Sequence, residues 1–137
     1  MSLVVVDASV WVARLVPQDA FHIAVRDWLE VQRVHEVLFA APGLLLVEVA
    51  GAVARRTGDH NLAKQSIATL QALPELRLVE MDRPLIQSAA DLAAQHGLRG
   101  ADACYVAVAA NLKIPLATLD DDQRQRAASL VQTHTFL

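Results

Sequence analysis

The chain has 137 residues, 54% of them hydrophobic and 20% charged, with a net charge of −3. That length suits one domain over residues 1–137, able to bury roughly two-thirds of the surface its unfolded chain exposes. The single cysteine, Cys104, excludes an internal disulfide, and no apolar run is long and unbroken enough for a secretory leader or a membrane span, so a cytoplasmic protein is expected.

Leu3 to Val6 is a run of four apolar, mostly β-branched residues, which predicts a strand buried on both faces of a parallel sheet. Asp7 ends it, followed by Ser9, a possible helix cap, and a short helix to Val16 closed by Pro17. Ala20 to Arg33 carries apolar residues at helical spacing. Val37 to Ala41 predicts a second strand, broken by Pro42 and Gly43, and Leu44 to Arg56 an apolar helix stopped by Gly58. Asp59 or Asn61 caps a helix running to Leu73, and Leu76 to Met81 is a third strand. Asp82 caps the next helix, with Pro84 in its first turn and its end at His96-Gly97. Asp102 to Leu112 is another helix, Leu116 to Leu119 a fourth strand, and Asp121 or Asp122 starts the last helix before a short closing strand at Leu130 to Gln132. Strands alternating with helices predict an α/β domain with a central parallel sheet of four to five strands, flanked by helices.

Four acids stand out. Asp7 and Asp120 each end a predicted strand, where open α/β sheets bind ligands. Glu48 is the one charged residue between positions 37 and 54, and Gly51 and Ala52 leave room over its side chain one turn on. An ionised carboxylate in such a setting needs a cation, or a buried pair with Arg55 or Arg99. Asp102 opens an apolar helix, where a first-turn acid also suits the helix dipole. Asp121 and Asp122 compete with Asp120, as cap or as ligand. The histidines at 22, 35, 60, 96 and 134 show no ligand spacing. Carboxylates without converging His or Cys suit a hard divalent cation, Mg²⁺ or Mn²⁺, rather than zinc. With four acids in one site, eleven remain against twelve Lys and Arg, ten of them Arg, which permits a polyanionic substrate. Cys104 reads as a small core residue. Trp11 and the apolar excess suggest a surface covered by a partner, or else a thick core closed by Trp11 and Trp28.

The sequences Leu3 to Val10, Leu45 to Val49, Leu98 to Ala103 and Leu116 to Asp120, in that order and spacing, resemble the PIN-domain ribonucleases, in particular the VapC-type toxins of bacterial toxin–antitoxin modules. The resemblance covers nearly the whole chain. It implies a PIN-like fold and a Mg²⁺- or Mn²⁺-dependent endoribonuclease. The implied catalytic and metal-binding quartet is Asp7, Glu48, Asp102 and Asp120, supported by Ser9 and Thr118. The implied partners are RNA and a cognate antitoxin, without a membrane, and a homodimer is expected. The family pattern has a single Asp at its fourth motif, so Asp120-Asp121-Asp122 departs from it and leaves Asp122 as an alternative. Two other readings compete: a PIN nuclease that processes RNA without an antitoxin, and a receiver-like signalling domain. The latter wants an acidic pair before the first Asp, where Val5 and Val6 stand here.

Overall fold

The computed structural model describes residues 2–134 and 136. Its centre is β1 (Leu3–Val6), with Val5 and Val6 fully buried. On one side β1 pairs with β2 (Leu38–Pro42), which pairs in turn with β3 (Leu76–Val79); on the other it pairs with β4 (Leu116–Ala117), followed by β5 (Thr133–His134). All four pairings are parallel, and the order is β3-β2-β1-β4-β5. The chain therefore winds outward from β1 one way and then crosses to the other side. The crevice at that reversal, beyond the carboxyl ends of β1 and β4, is where a doubly wound sheet binds ligands.

The helices are α1 (Ala8–Leu15), α2 (His22–Val34), α3 (Leu45–Thr57), α4 (His60–Ala72), α5 (Arg83–His96), α6 (Gly100–Leu112) and α7 (Asp121–Ala127). α3 packs on α4 and α5 on α6, while α1 touches α2 and α3. α6 also lies against β1, β2 and β4. Its run from Tyr105 to Ala109 is buried, so it is the helix most embedded in the core. Trp11 closes the core rather than facing a partner: it is 3% exposed and meets Phe39 edge-on at 5.6 Å. Trp28 is half-buried between Phe39 and the aromatic pair His134 and Phe136.

The predicted elements are present, with shifts at their ends that have local causes. Gly58 and Gly97 end α3 and α5 at φ 69° and 66°, the left-handed conformation that glycine adopts without strain. α2 starts at His22 rather than Ala20 because Asp19 Oδ1 accepts the Phe21 amide and holds a turn there. The closing strand falls at Thr133–His134 rather than at 130–132, because the amides of Leu130 and Val131 return to the Ala127 carbonyl and prolong the α7 turn. β4 is short: Thr118 and Leu119 leave the ladder and enter the candidate site. Among the described residues, no helix is long and apolar enough to cross a membrane.

Candidate active site

Asp7 leaves β1 in extended conformation and occupies the N-cap position of α1, but its side chain does not cap the helix. The Ser9 hydroxyl donates to Asp7 Oδ2 at 2.7 Å, and Thr118 Oγ1 lies 2.9 Å from the same oxygen. Ser9 Oγ also accepts the Leu119 amide at 3.0 Å, so one hydroxyl ties the end of β1 to the segment after β4. Ser9 is thus a site clamp rather than a helix cap. Thr118 accepts the Asp120 amide and lies 2.9 Å from Gln123 Oε1 as well; its single proton serves Asp7 or Gln123, one at a time.

Asp7 is 5% exposed, and the hydrogen bonds it accepts come from neutral donors. Burial pushes its carboxyl above the ordinary range; the two hydroxyls oppose this, and the charge of Asp102 adds to it. Glu48, in the first turn of α3, is half-buried and is also raised, first by burial and then by Asp7 and Asp102. Its direct partner is Tyr105, whose hydroxyl donates to Oε1 at 2.7 Å. Among the described residues, the alternative ion pair of Glu48 with Arg55 or Arg99 does not form; Arg55 folds over Gly51, its Nη1 3.0 Å from where a Cβ would stand. Asp102, in the first turn of α6, is raised by burial and by Asp120 and Asp122, while Arg99 pulls it down.

Asp120 is the N-cap of α7, with Oδ1 accepting the Gln123 amide at 3.1 Å. The helix starts at Asp121, as expected, but its cap is Asp120 rather than Asp121 or Asp122. Those two side chains are 73% and 59% exposed and pair along α7 with Arg124 and Arg126. Asp120 Oδ2 points the other way, to Arg99, which also donates from Nε to Asp102 Oδ2 at 2.9 Å. Mutual influence thus links Asp7, Glu48, Asp102 and Asp120 into one acidic cluster, with Arg99 as the cation bonded to it.

Sequence reasoning missed three members: Tyr105, Gln123 and the bridging role of Arg99. Tyr105 lies three residues after Asp102, one helical turn on the same side, and that spacing was a readable signal. Asp120-x-x-Gln123 is a capping-box spacing, but Gln123 is fully buried and sends its amide to the Asp102 carbonyl at 3.4 Å instead. Cys104 is half-buried, and burial raises its thiol, which does not favour a nucleophile.

The PIN domain family profile matches residues 4–129. The chain belongs to the PIN-domain family. Among solved structures, Mycobacterium tuberculosis VapC20, described as a sarcin–ricin loop cleaving toxin, superposes with a TM-score of 0.75 at 22% identity, covering 94% of this chain and 97% of that one. FitAcB from Neisseria gonorrhoeae gives 0.71 at 22% identity over 97% of each chain. VapBC2 from Rickettsia felis, bound to a DNA fragment from its promoter, gives 0.72 at 13% identity, covering 96% and 97%. At these identities the likeness is one of fold. No significant match is found among curated proteins.

As a PIN domain, the chain is expected to use a divalent metal ion. The donor set fits one chemically: four carboxylates, three of them destabilised as anions by burial and by one another, and no soft ligand among them. Among the described residues, however, no three His, Cys, Asp or Glu side chains are gathered closely enough to hold an ion as they stand. Arg99 holds two of the four.

Proposed function

We propose that this chain is a divalent-metal-dependent endoribonuclease and the toxin of a toxin–antitoxin module. The observation that carries the reading is Asp7: a nearly fully buried carboxylate at the carboxyl end of the central strand, held by neutral hydroxyls and facing other acids. Such a group is unfavourable as an anion without a cation nearby. Asp7, Glu48, Asp102 and Asp120 would hold Mg²⁺ or Mn²⁺. The bound ion would lower the pKa of an attacking water and stabilise charge on a phosphodiester. The chain's own part is positional. Ser9 and Thr118 fix Asp7, Tyr105 fixes Glu48, and Gln123, the competing acceptor for the Thr118 proton, ties α7 to α6 through the Asp102 carbonyl. Two of the similar solved folds, VapC20 and VapBC2, carry toxin-module names, and the first is described as a sarcin–ricin loop cleaving toxin, which supports RNA as substrate here.

An antitoxin and a homodimer both require apolar surface. Val47, next to Glu48, is 75% exposed, and Ile23, Val31 and Val34 are exposed along α2. The test is to incubate purified protein with cellular RNA, with and without Mg²⁺ or Mn²⁺, and to map the ends produced. Discrete cleavage that requires the metal and disappears in Asp7→Asn is expected; intact RNA under every metal condition would reject the reading. Growth arrest on expression, relieved by the product of an adjacent small gene, separates a toxin from a PIN nuclease that processes RNA without an antitoxin.

A further inference from the structure

We propose that Arg99 is a resident counter-ion of the acidic cluster, released from Asp102 and Asp120 when a divalent cation binds and then free to grip an RNA phosphate. This rests on the nuclease reading above. Arg99 stands at the N-cap position of α6, and its guanidinium joins two elements, bonding Asp102 at the start of α6 and Asp120 at the cap of α7. Its charge also reaches Glu48. Among the described residues, no other Lys or Arg forms an ion pair with Asp7, Glu48, Asp102 or Asp120; the neighbouring Arg124 and Arg126 are taken up by Asp121 and Asp122.

The arrangement does two things. It screens the carboxylates from one another in the metal-free protein, and it keeps two of the four oxygen-donor groups occupied. The Arg99 side chain is 67% exposed, so each pair is weakened by solvent and yields to a doubly charged ion that engages several carboxylates at once. Once displaced, the guanidinium stays tethered at the rim of the cluster. An arginine fork there suits phosphate oxygens, which it can meet with two parallel N–H donors. One residue thereby serves as lock in the empty site and as substrate contact in the loaded one.

Mn²⁺ binding, followed by the electron paramagnetic resonance of the free ion and without RNA, tests the first half. Arg99→Ala should bind Mn²⁺ roughly fivefold more tightly than the wild type, the ratio that two exposed ion pairs of ordinary strength correspond to. Arg99→Gln provides a second neutral variant should Arg99→Ala fold poorly, and Arg99→Lys should lie near the wild type. Arg126→Ala makes the same charge change outside the cluster and should tighten binding by much less. The second half is read by RNA affinity in an Asp7→Asn background, which keeps the RNA uncut, with Mn²⁺ raised until the resonance shows this variant loaded. Adding Arg99→Ala there should weaken binding about tenfold, as expected for a lost charge-assisted contact, and should reduce the slope of log affinity against log salt by about 0.7, the loss of one single-stranded phosphate contact. Equal or weaker Mn²⁺ binding by both neutral variants, equal tightening by Arg126→Ala, or an unchanged salt slope overturns the proposal. A wild type with no Mn²⁺ binding sensitive to Asp7→Asn rejects the nuclease reading itself, and this inference with it.

Discussion

The Tyr105 hydroxyl donates to Glu48 Oε1 across 2.7 Å and so couples α6 to α3 at the rim of the acidic cluster. The hydroxyl favours the ionised carboxyl, which burial and two neighbouring acids disfavour. Tyr105→Phe preserves the buried ring and removes that support. Stability should fall by about 1–2 kcal/mol, read as a lower denaturant midpoint. Activity should fall most at low pH and recover as pH rises, because Glu48 is then ionised by solvent pH rather than by its partner. A pH–rate profile that drops uniformly would assign the hydroxyl a different role.

Asp7, Glu48 and Asp102 all have folded-state pKa values raised above their ordinary ones. Such groups contribute stability that is fully present below the ordinary carboxylate pKa of about 4 and lost as pH rises through the raised folded values. Metal-free protein should therefore lose stability from these groups as pH climbs out of the acid range, and Asp7→Asn should flatten that slope. Added Mn²⁺ should restore more stability at high pH than at low, since protons compete for the same oxygens. Denaturant midpoints across the range, with and without Mn²⁺, check both statements.

Asp120 and Asp122 separate cleanly in this structure. Asp120→Ala removes the α7 cap and should cost about 1 kcal/mol, whereas Asp120→Asn keeps a capping oxygen and should cost little. Both should abolish cleavage under the proposed function. Asp122→Asn breaks an exposed i,i+4 pair with Arg126, worth about 0.5 kcal/mol or less, and should retain activity. Full activity in Asp120→Asn would move the fourth ligand elsewhere.

Ser9→Ala deletes a donor to Asp7 and the acceptor of the Leu119 amide in one step. An unpartnered amide and a less supported carboxylate together should cost about 1–3 kcal/mol. Mn²⁺ should recover part of that loss by taking over the support of Asp7, which a thermal melt with and without the ion would show.

The fold was legible in the sequence because it rests on strong local signals: β-branched runs such as Leu3 to Val6, and glycine stops at 58 and 97 that take left-handed backbone. The closing strand was misplaced by three residues, since two-residue edge strands are set by pairing with β4 and carry no period of their own. In the cluster, residues next to strand ends were legible, for topology delivers them. Gln123 and the Arg99 bridge were not, because each acts on a group supplied by a different element; the spacing of Tyr105 from Asp102 marked its side of α6 without naming Glu48 as its partner. The identity of the α7 cap was hidden for a related reason: three consecutive acids all satisfy the local rule, and only the turn from Thr118 through the Asp120 amide selects the first.

Thr118 reaches Asp7 across 111 positions of chain, and β4, which carries Thr118 to it, is among the last strands to be made. Synthesised from its amino end, a growing polypeptide presents Asp7 and Glu48 while Thr118, Asp120 and Gln123 have yet to be added. Sheet β3-β2-β1 can form by then, yet its open side beside β1 has no strand to bring the clamp. Under the proposed RNA cleavage, this order of assembly postpones activity until Gln123 has left the ribosome.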